Sequence, residues 1–166
     1  GQSISSLTIN NNSVVNSSAF NANPLSSLTI GTGVTLKGFC IANMPAGTSL
    51  TVTIPTGTIF TSSSQFSSSK NITSVVMGAI VIIPENMFGN CDNIASLTLN
   101  NATTTYSSTC FNSALASNIT QITFGGSAKT FGNNAFKNNS LTAVTVPSGS
   151  TNTSNAFDSG VTITIV

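Results

Sequence analysis

Apolar residues recur along this chain in short alternating bursts, not in helical stripes. Leu7-Thr8-Ile9, Leu28-Thr29-Ile30, Val52-Thr53-Ile54 and Val75-Val76-Met77 are copies of one pattern, and Leu97-Thr98-Leu99, Ile122-Thr123-Phe124, Val144-Thr145-Val146 and Ile163-Thr164-Ile165 continue it. The eight copies start at residues 7, 28, 52, 75, 97, 122, 144 and 163, in steps of 19 to 25 residues. Alternation of period two marks a half-buried strand, and self-similarity at this spacing marks a stack of repeats. Another aliphatic precedes most copies by three residues: Ile4, Leu25, Ile72, Ile94, Ile119 and Leu141. A phenylalanine follows each of the first seven, at Phe20, Phe39, Phe66, Phe88, Phe111, Phe136 and Phe157. Each turn is therefore expected to supply a strand, a polar bend, a short second extended piece and a Phe. The second pieces are expected near 13–15, 34–36, 58–60, 79–83, 103–106 and 128–131. Stacking buries the apolar face of every strand and the Phe in one continuous core. Each such side chain contributes roughly 1.5–3 kcal/mol, which outweighs the polar segments between them.

Three stretches carry a resemblance. "SAFNANPLSSLTI" (18–30), "MFGNCDNIASLTL" (87–99) and "NAFKNNSLTAVTV" (134–146) resemble the A-F-x-x-C-x-x-L-x-x-I-x-I unit of BspA-like leucine-rich repeats, with Cys91 at the family's cysteine position. The resemblance covers almost the whole chain and is weakest at 39–66. It implies a right-handed leucine-rich solenoid on secreted or surface-exposed proteins, used for adhesion and interaction, and no enzymatic activity. Pattern and resemblance together predict a mainly β fold. It is a single leucine-rich-repeat-type solenoid domain over residues 1–166, with about 7–8 turns of 19–25 residues, little or no helix, and uncapped ends.

Composition narrows the function. Only Lys37, Lys70, Lys129, Lys137, Glu85, Asp92 and Asp158 are charged, for a net charge of +1, which offers no footprint for nucleic acid or an anionic membrane. The longest apolar run, "VVMGAIVII" (75–83), is about half the length a membrane-spanning helix needs, so no membrane insertion is expected. So little charge suits a surface outside a cell, secreted or held at the cell surface, better than a cytosolic one. The opening Gly1, with neither an initiator Met nor a signal peptide, reads as a processed N-terminus or as a piece of a longer chain.

Catalytic chemistry finds little support. There is no His; Glu85 and Asp92 flank the Phe88 turn and could approach one another but read as solvated loop charges, and Asp158 lies far along the chain, so neither a general base nor a paired-carboxylate site is assigned. "GGSAKT" (125–130) lacks the Gly before Lys and the following helix of a phosphate loop, and reads as a bend. No catalytic, cofactor or metal residue is assigned, and zinc is disfavoured with no His and no C-x-x-C pair. Two readings of the cysteines stay open. Stacked turns bring Cys91 and Cys110 within disulfide reach, closing a loop worth roughly 3 kcal/mol, or all three, Cys40 included, are small buried hydrophobes. N-x-S/T sequons at Asn11, Asn16, Asn71, Asn101, Asn118, Asn138 and Asn152 are no more numerous than chance gives in so Asn- and Ser/Thr-rich a chain. They fall in bends, where N-glycans are tolerated and would supply the solubility that charge does not.

The outward residues of the strands form a monotonous Thr/Ser ladder (Thr8, Thr29, Thr53, Val76, Thr98, Thr123, Thr145 and Thr164 in its middle row) without aromatic anchors or charges. The ladder suits β-sheet formation, and paired Thr ranks also suggest, less directly, an ice-binding face, provided the strands are evenly spaced. The ends look bare: Ile4, Leu7 and Ile9 in the first strand, and Val161, Ile163 and Ile165 in the last, carry no flanking Lys or Pro. The leading expectation is a non-enzymatic subunit of an extracellular filament or surface layer, polymerising head to tail through these turns. The alternative is a surface adhesion module of a larger protein.

Overall fold

The structure, a computed structural model, describes residues 3–166. Its strands run in chain order β1 (Ser6–Ile9), β2 (Val14–Val15), β3 (Ser27–Ile30), β4 (Thr35–Leu36), β5 (Leu50–Ile54), β6 (Ile59–Phe60) and β7 (Ile72–Met77). They continue with β8 (Ile82–Ile83), β9 (Ser96–Thr98), β10 (Thr105–Tyr106), β11 (Gln121–Thr123), β12 (Thr130–Phe131), β13 (Ala143–Val146) and β14 (Thr162–Ile165). One helical turn, α1 (Thr153–Ala156), precedes β14. The fold is a β-solenoid of about seven turns with almost no helix.

The longer strands form the main row, and the two-residue strands form a second row on another side of each turn. All pairings are parallel and join equivalent positions of successive repeats. Leu7 pairs with Leu28, Val52 with Val75 and Val75 with Leu97, while Ile122, Val144 and Ile163 line up across three turns. Every strand of the second row lies within a segment that the repeat pattern marks as extended. In the main strands alternate, apolar residues face inward: Val52, Ile54, Val75 and Val146 have no exposed surface, and Val144 is nearly as buried.

The third side of each turn follows a backbone rule. Non-glycine residues adopt positive φ at Ser18, Phe39, Ser64, Asn86, Thr109 and Asn134, and again four residues later at Ala22, Asn43, Ser68, Asn90, Ser113 and Asn138. Midway between each pair sits the residue that fills the core: Phe20, Ile41, Phe66, Phe88, Phe111 and Phe136. Their N–H groups donate in sequence to the next turn, Phe20 to Cys40 O and Ile41 to Gln65 O, then Phe66 to Met87 O and Phe88 to Cys110 O. The second turn therefore departs from the sequence expectation. Ile41 is fully buried in the core position, whereas Phe39 takes the left-handed position before it and is 46% exposed. Register, not residue type, decides the assignment.

From Phe66 onward the rings stack. Centroids lie 5.3 Å apart for Phe66–Phe88, 5.2 Å for Phe88–Phe111, 5.2 Å for Phe111–Phe136 and 5.5 Å for Phe136–Phe157, with planes within 19° of parallel. Such pairs add about 0.5–1.5 kcal/mol each beyond burial. In three turns the residue three after the core residue ties its turn to the one before. Asn139 Nδ2 donates to Phe111 O at 2.9 Å, Ser69 Oγ to Ile41 O at 3.5 Å, and Cys91 Sγ to Phe66 O at 3.3 Å.

The rows are not continuous. The main row divides between β3 and β5 and between β9 and β11, and the second row divides between β6 and β8. The outward Thr row lacks backbone pairing at the same two places in the main row.

Candidate functional site

The break between β9 and β11 opens a cleft of about 550 Å³ lined by Ala95, Leu97, Leu99 and residues 118–123. It follows from the longest step in the repeat, the 25 residues from Leu97 to Ile122. Two aliphatics compete there for one position. Leu115 bridges Ile94 and is 6% exposed, so Ile119, the residue that the spacing nominates, is left half-buried in the cleft. The intervening chain leaves the ladder after Ala116, whose N–H donates to Ile94 O at 2.9 Å. Leu97 and Ile122, although central in the stack, are consequently only half-buried, as is Leu28 beside the other break in the main row, whereas their equivalents Val52, Val75 and Val144 are buried.

Asn118 partly bridges the opening. Its Nδ2 donates to Ala95 O at 3.0 Å. In other turns the carbonyl at this position takes a backbone N–H from the next turn: Ser5 O from Ser26 N at 2.8 Å, Thr73 O from Ala95 N at 2.9 Å, and Thr120 O from Thr142 N at 2.8 Å. A side-chain amide thus stands in for a strand. No charged residue lines the cleft.

The cysteines are free and buried. Cys91 points to Phe66 O of the preceding turn and Cys110 to Ala135 O of the following one at 3.8 Å, so the structure does not bring this pair together. Burial pushes the Cys40 and Cys91 thiols up to about 12 and raises Cys110 as well, which keeps all three protonated and poorly nucleophilic near neutral pH. Glu85 and Asp92 are both exposed, and Asp92 pairs with Lys70, the one ion pair among the described residues. Lys129, in the "GGSAKT" bend, is 1% exposed and donates to Asn101 O at 2.9 Å and Thr103 O at 2.7 Å, with burial lowering its proton affinity. It is a tie between turns, not a phosphate ligand. No group of acidic, Cys or His side chains suited to a metal ion occurs among the described residues, and no helix there is long and apolar enough to cross a membrane.

The sequons divide. Asn11, Asn16, Asn101, Asn118 and Asn138 are exposed. Asn152 is half-buried, its Nδ2 held by Phe131 O at 2.7 Å. Asn71 is 1% exposed, and its Nδ2 donates to Leu25 O at 2.6 Å, an arrangement that leaves no room for a glycan. At the ends, Ile4 is 37% and Ile165 65% exposed; Leu7, Val161 and Ile163 are half-buried, and Ile9 is buried. Sequence reasoning missed the cleft residues Ala95, Leu97, Leu99 and Ile122 as a site; the long repeat step and the doubled aliphatic at 115 and 119 were the available signals.

Parallel strands stacked in two rows around an aromatic core define a leucine-rich solenoid, a class that works by presenting extended surfaces to partners. Residues 46–164 match the family model for the BspA type leucine rich repeat region, in six copies, and the chain belongs to that family. No curated protein and no solved structure matches it.

Proposed function

We propose that the chain is a non-catalytic interaction module, displayed outside the cell or at its surface, that engages a protein partner through the cleft in its main row. The carrying observation is that β9 and β11 face one another unpaired across the cleft, with Leu97, Leu99, Ile119 and Ile122 partly exposed along it. Exposed core at an interior turn lowers stability without a structural return, which favours use as a contact surface. Membership of the BspA type leucine rich repeat family supports the reading. Glycans at the exposed sequons away from the cleft, Asn11, Asn16, Asn101 and Asn138, would keep so weakly charged a surface soluble. The test is binding of the purified chain to immobilised extracellular proteins and to intact cells, measured beside a Leu97→Asp/Ile122→Asp variant. Binding by the wild type that the variant loses supports the proposal; equal binding by both, or none by either, refutes it.

A second reading is end-to-end self-assembly into a filament. Ile165 of β14 and the adjoining Val166 are 65% and 70% exposed, and a concavity of about 310 Å³ is lined by Leu7, Ile9, Val15 and Phe20 of the first described turn. Negative-stain microscopy decides it: fibres lost on deletion of residues 161–166 support assembly, and dispersed particles of the intact chain reject it.

A further inference from the structure

We infer that the cleft takes an extended, uncharged peptide segment that adds as a strand between β9 and β11; this rests on the interaction-module reading above. β9 is laddered to β7 alone and β11 to β13 alone, so the two strands turn unpaired edges toward one another. Unpaired edges with apolar flanks are what strand addition uses: main-chain hydrogen bonds give affinity and alternate side chains give specificity.

The chemistry of the occupant follows from what surrounds it. Ala95 O accepts a side-chain amide from Asn118 at the one place where Ser5, Thr73 and Thr120 accept a backbone N–H. That contact is a displaceable substitute for a peptide group. Inward, the cleft offers Leu97, Leu99, Ile119 and Ile122, which call for apolar side chains at every second position of the guest. Outward, Ser96, Thr98, Gln121 and Thr123 are exposed and call for small polar residues between them. A charged guest residue facing inward would be desolvated without a counter-ion, since none lines the cleft. The guest is thus an alternating aliphatic–Ser/Thr segment, the pattern that this chain itself uses in β14.

The test uses the full chain and a fluorescein-labelled peptide, VTITIV flanked by lysine pairs for solubility, followed by fluorescence anisotropy and by hydrogen exchange at residues 96–99 and 120–123. Saturable binding is expected, with slowed exchange in both segments, and with at least a tenfold loss of affinity on Leu97→Asp or when proline replaces the central isoleucine of the peptide. Asn118→Ala, which removes the substitute amide at an exposed site, is expected to bind severalfold tighter and shows that folded protein is being read should Leu97→Asp not fold. No saturable binding to the folded wild type, or binding indifferent to proline and to Asn118→Ala, overturns strand addition. If the peptide does not bind while Leu97→Asp/Ile122→Asp abolishes partner adhesion, strand addition fails and the interaction module stands. If adhesion is also indifferent to the cleft, both fall.

Discussion

Phe88 lies flat against Phe111, with ring centroids 5.2 Å apart and planes 16° from parallel. The two residues are 23 positions apart in sequence, so the contact states the repeat length in physical form: one turn of chain returns each ring to the next. Because Phe66 covers the other face of Phe88, the ring is enclosed on both sides.

Phe88→Ala therefore removes a fully buried ring and two stacking partners. The expected loss is about 3–5 kcal/mol, read as a lower urea midpoint with an unchanged slope. A loss under about 1 kcal/mol would mean that the stack does not hold the turns together.

The second turn reverses what residue types suggest. Ile41 occupies the core position and Phe39 an exposed left-handed one. Bulky side chains are disfavoured at positive φ, whereas Asn tolerates it. Phe39→Asn is expected to be neutral or stabilising by about 0.5–1 kcal/mol, and Ile41→Ala to cost about 2–5 kcal/mol. The opposite order in thermal melts would restore Phe39 to the core.

Register of the main row was legible because Leu-Thr-Ile is both period two within a strand and repeated between strands; each copy can pair only with its counterpart without turning its apolar face outward. The second row was legible for the same reason. The Phe39 position was not, because its turn is set by two left-handed backbone sites that many residue types occupy, from Ser18 to Thr109 to Asn138. Nor was the cleft, because a lengthened step reads equally well as a larger loop. Only the bridge from Ile94 to Leu115 shows that the chain re-enters four residues early and then departs. Likewise Asn71 looks like any other sequon until its amide is seen buried against Leu25 O.

Asn139 takes the place in its turn that Cys91 holds in another, and makes more of it. Its Oδ1 accepts from Ala114 N at 3.0 Å and Leu115 N at 2.9 Å, while its Nδ2 donates to Phe111 O and Phe136 O. Asn139→Ala strands these groups in a half-buried site and is expected to cost about 2–4 kcal/mol. Hydrogen exchange should accelerate first at Ala114 and Leu115; no change at those amides would dismiss the tie.

The thiols set the response to alkali. Burial raises Cys40 and Cys91 from 9.0 to about 12, and raises Cys110 and Tyr106 too. A group whose proton is held more tightly when folded lends stability that is complete below its unfolded value and is lost as pH rises through the folded one. Each thiol then removes about 1.4 kcal/mol per pH unit above 9, and three together about 4 kcal/mol. Lys129, lowered by burial, acts in the opposite sense up to its unfolded value but is a single group. The chain is expected to keep its stability to pH 9 and to lose most of it by about pH 11, since folded domains hold only about 5–15 kcal/mol. Replacing Cys91 and Cys110 by Ala should flatten the decline between pH 9 and 10 by roughly two-thirds, because two of the three thiols are gone, and by less above 10.0, where Tyr106 also contributes. A thiol reagent at pH 8 should label none of the three until urea unfolds the chain. Urea midpoints that are level from pH 8 to 11, or rapid labelling of the folded protein, would show that the cysteines are not sealed in the core.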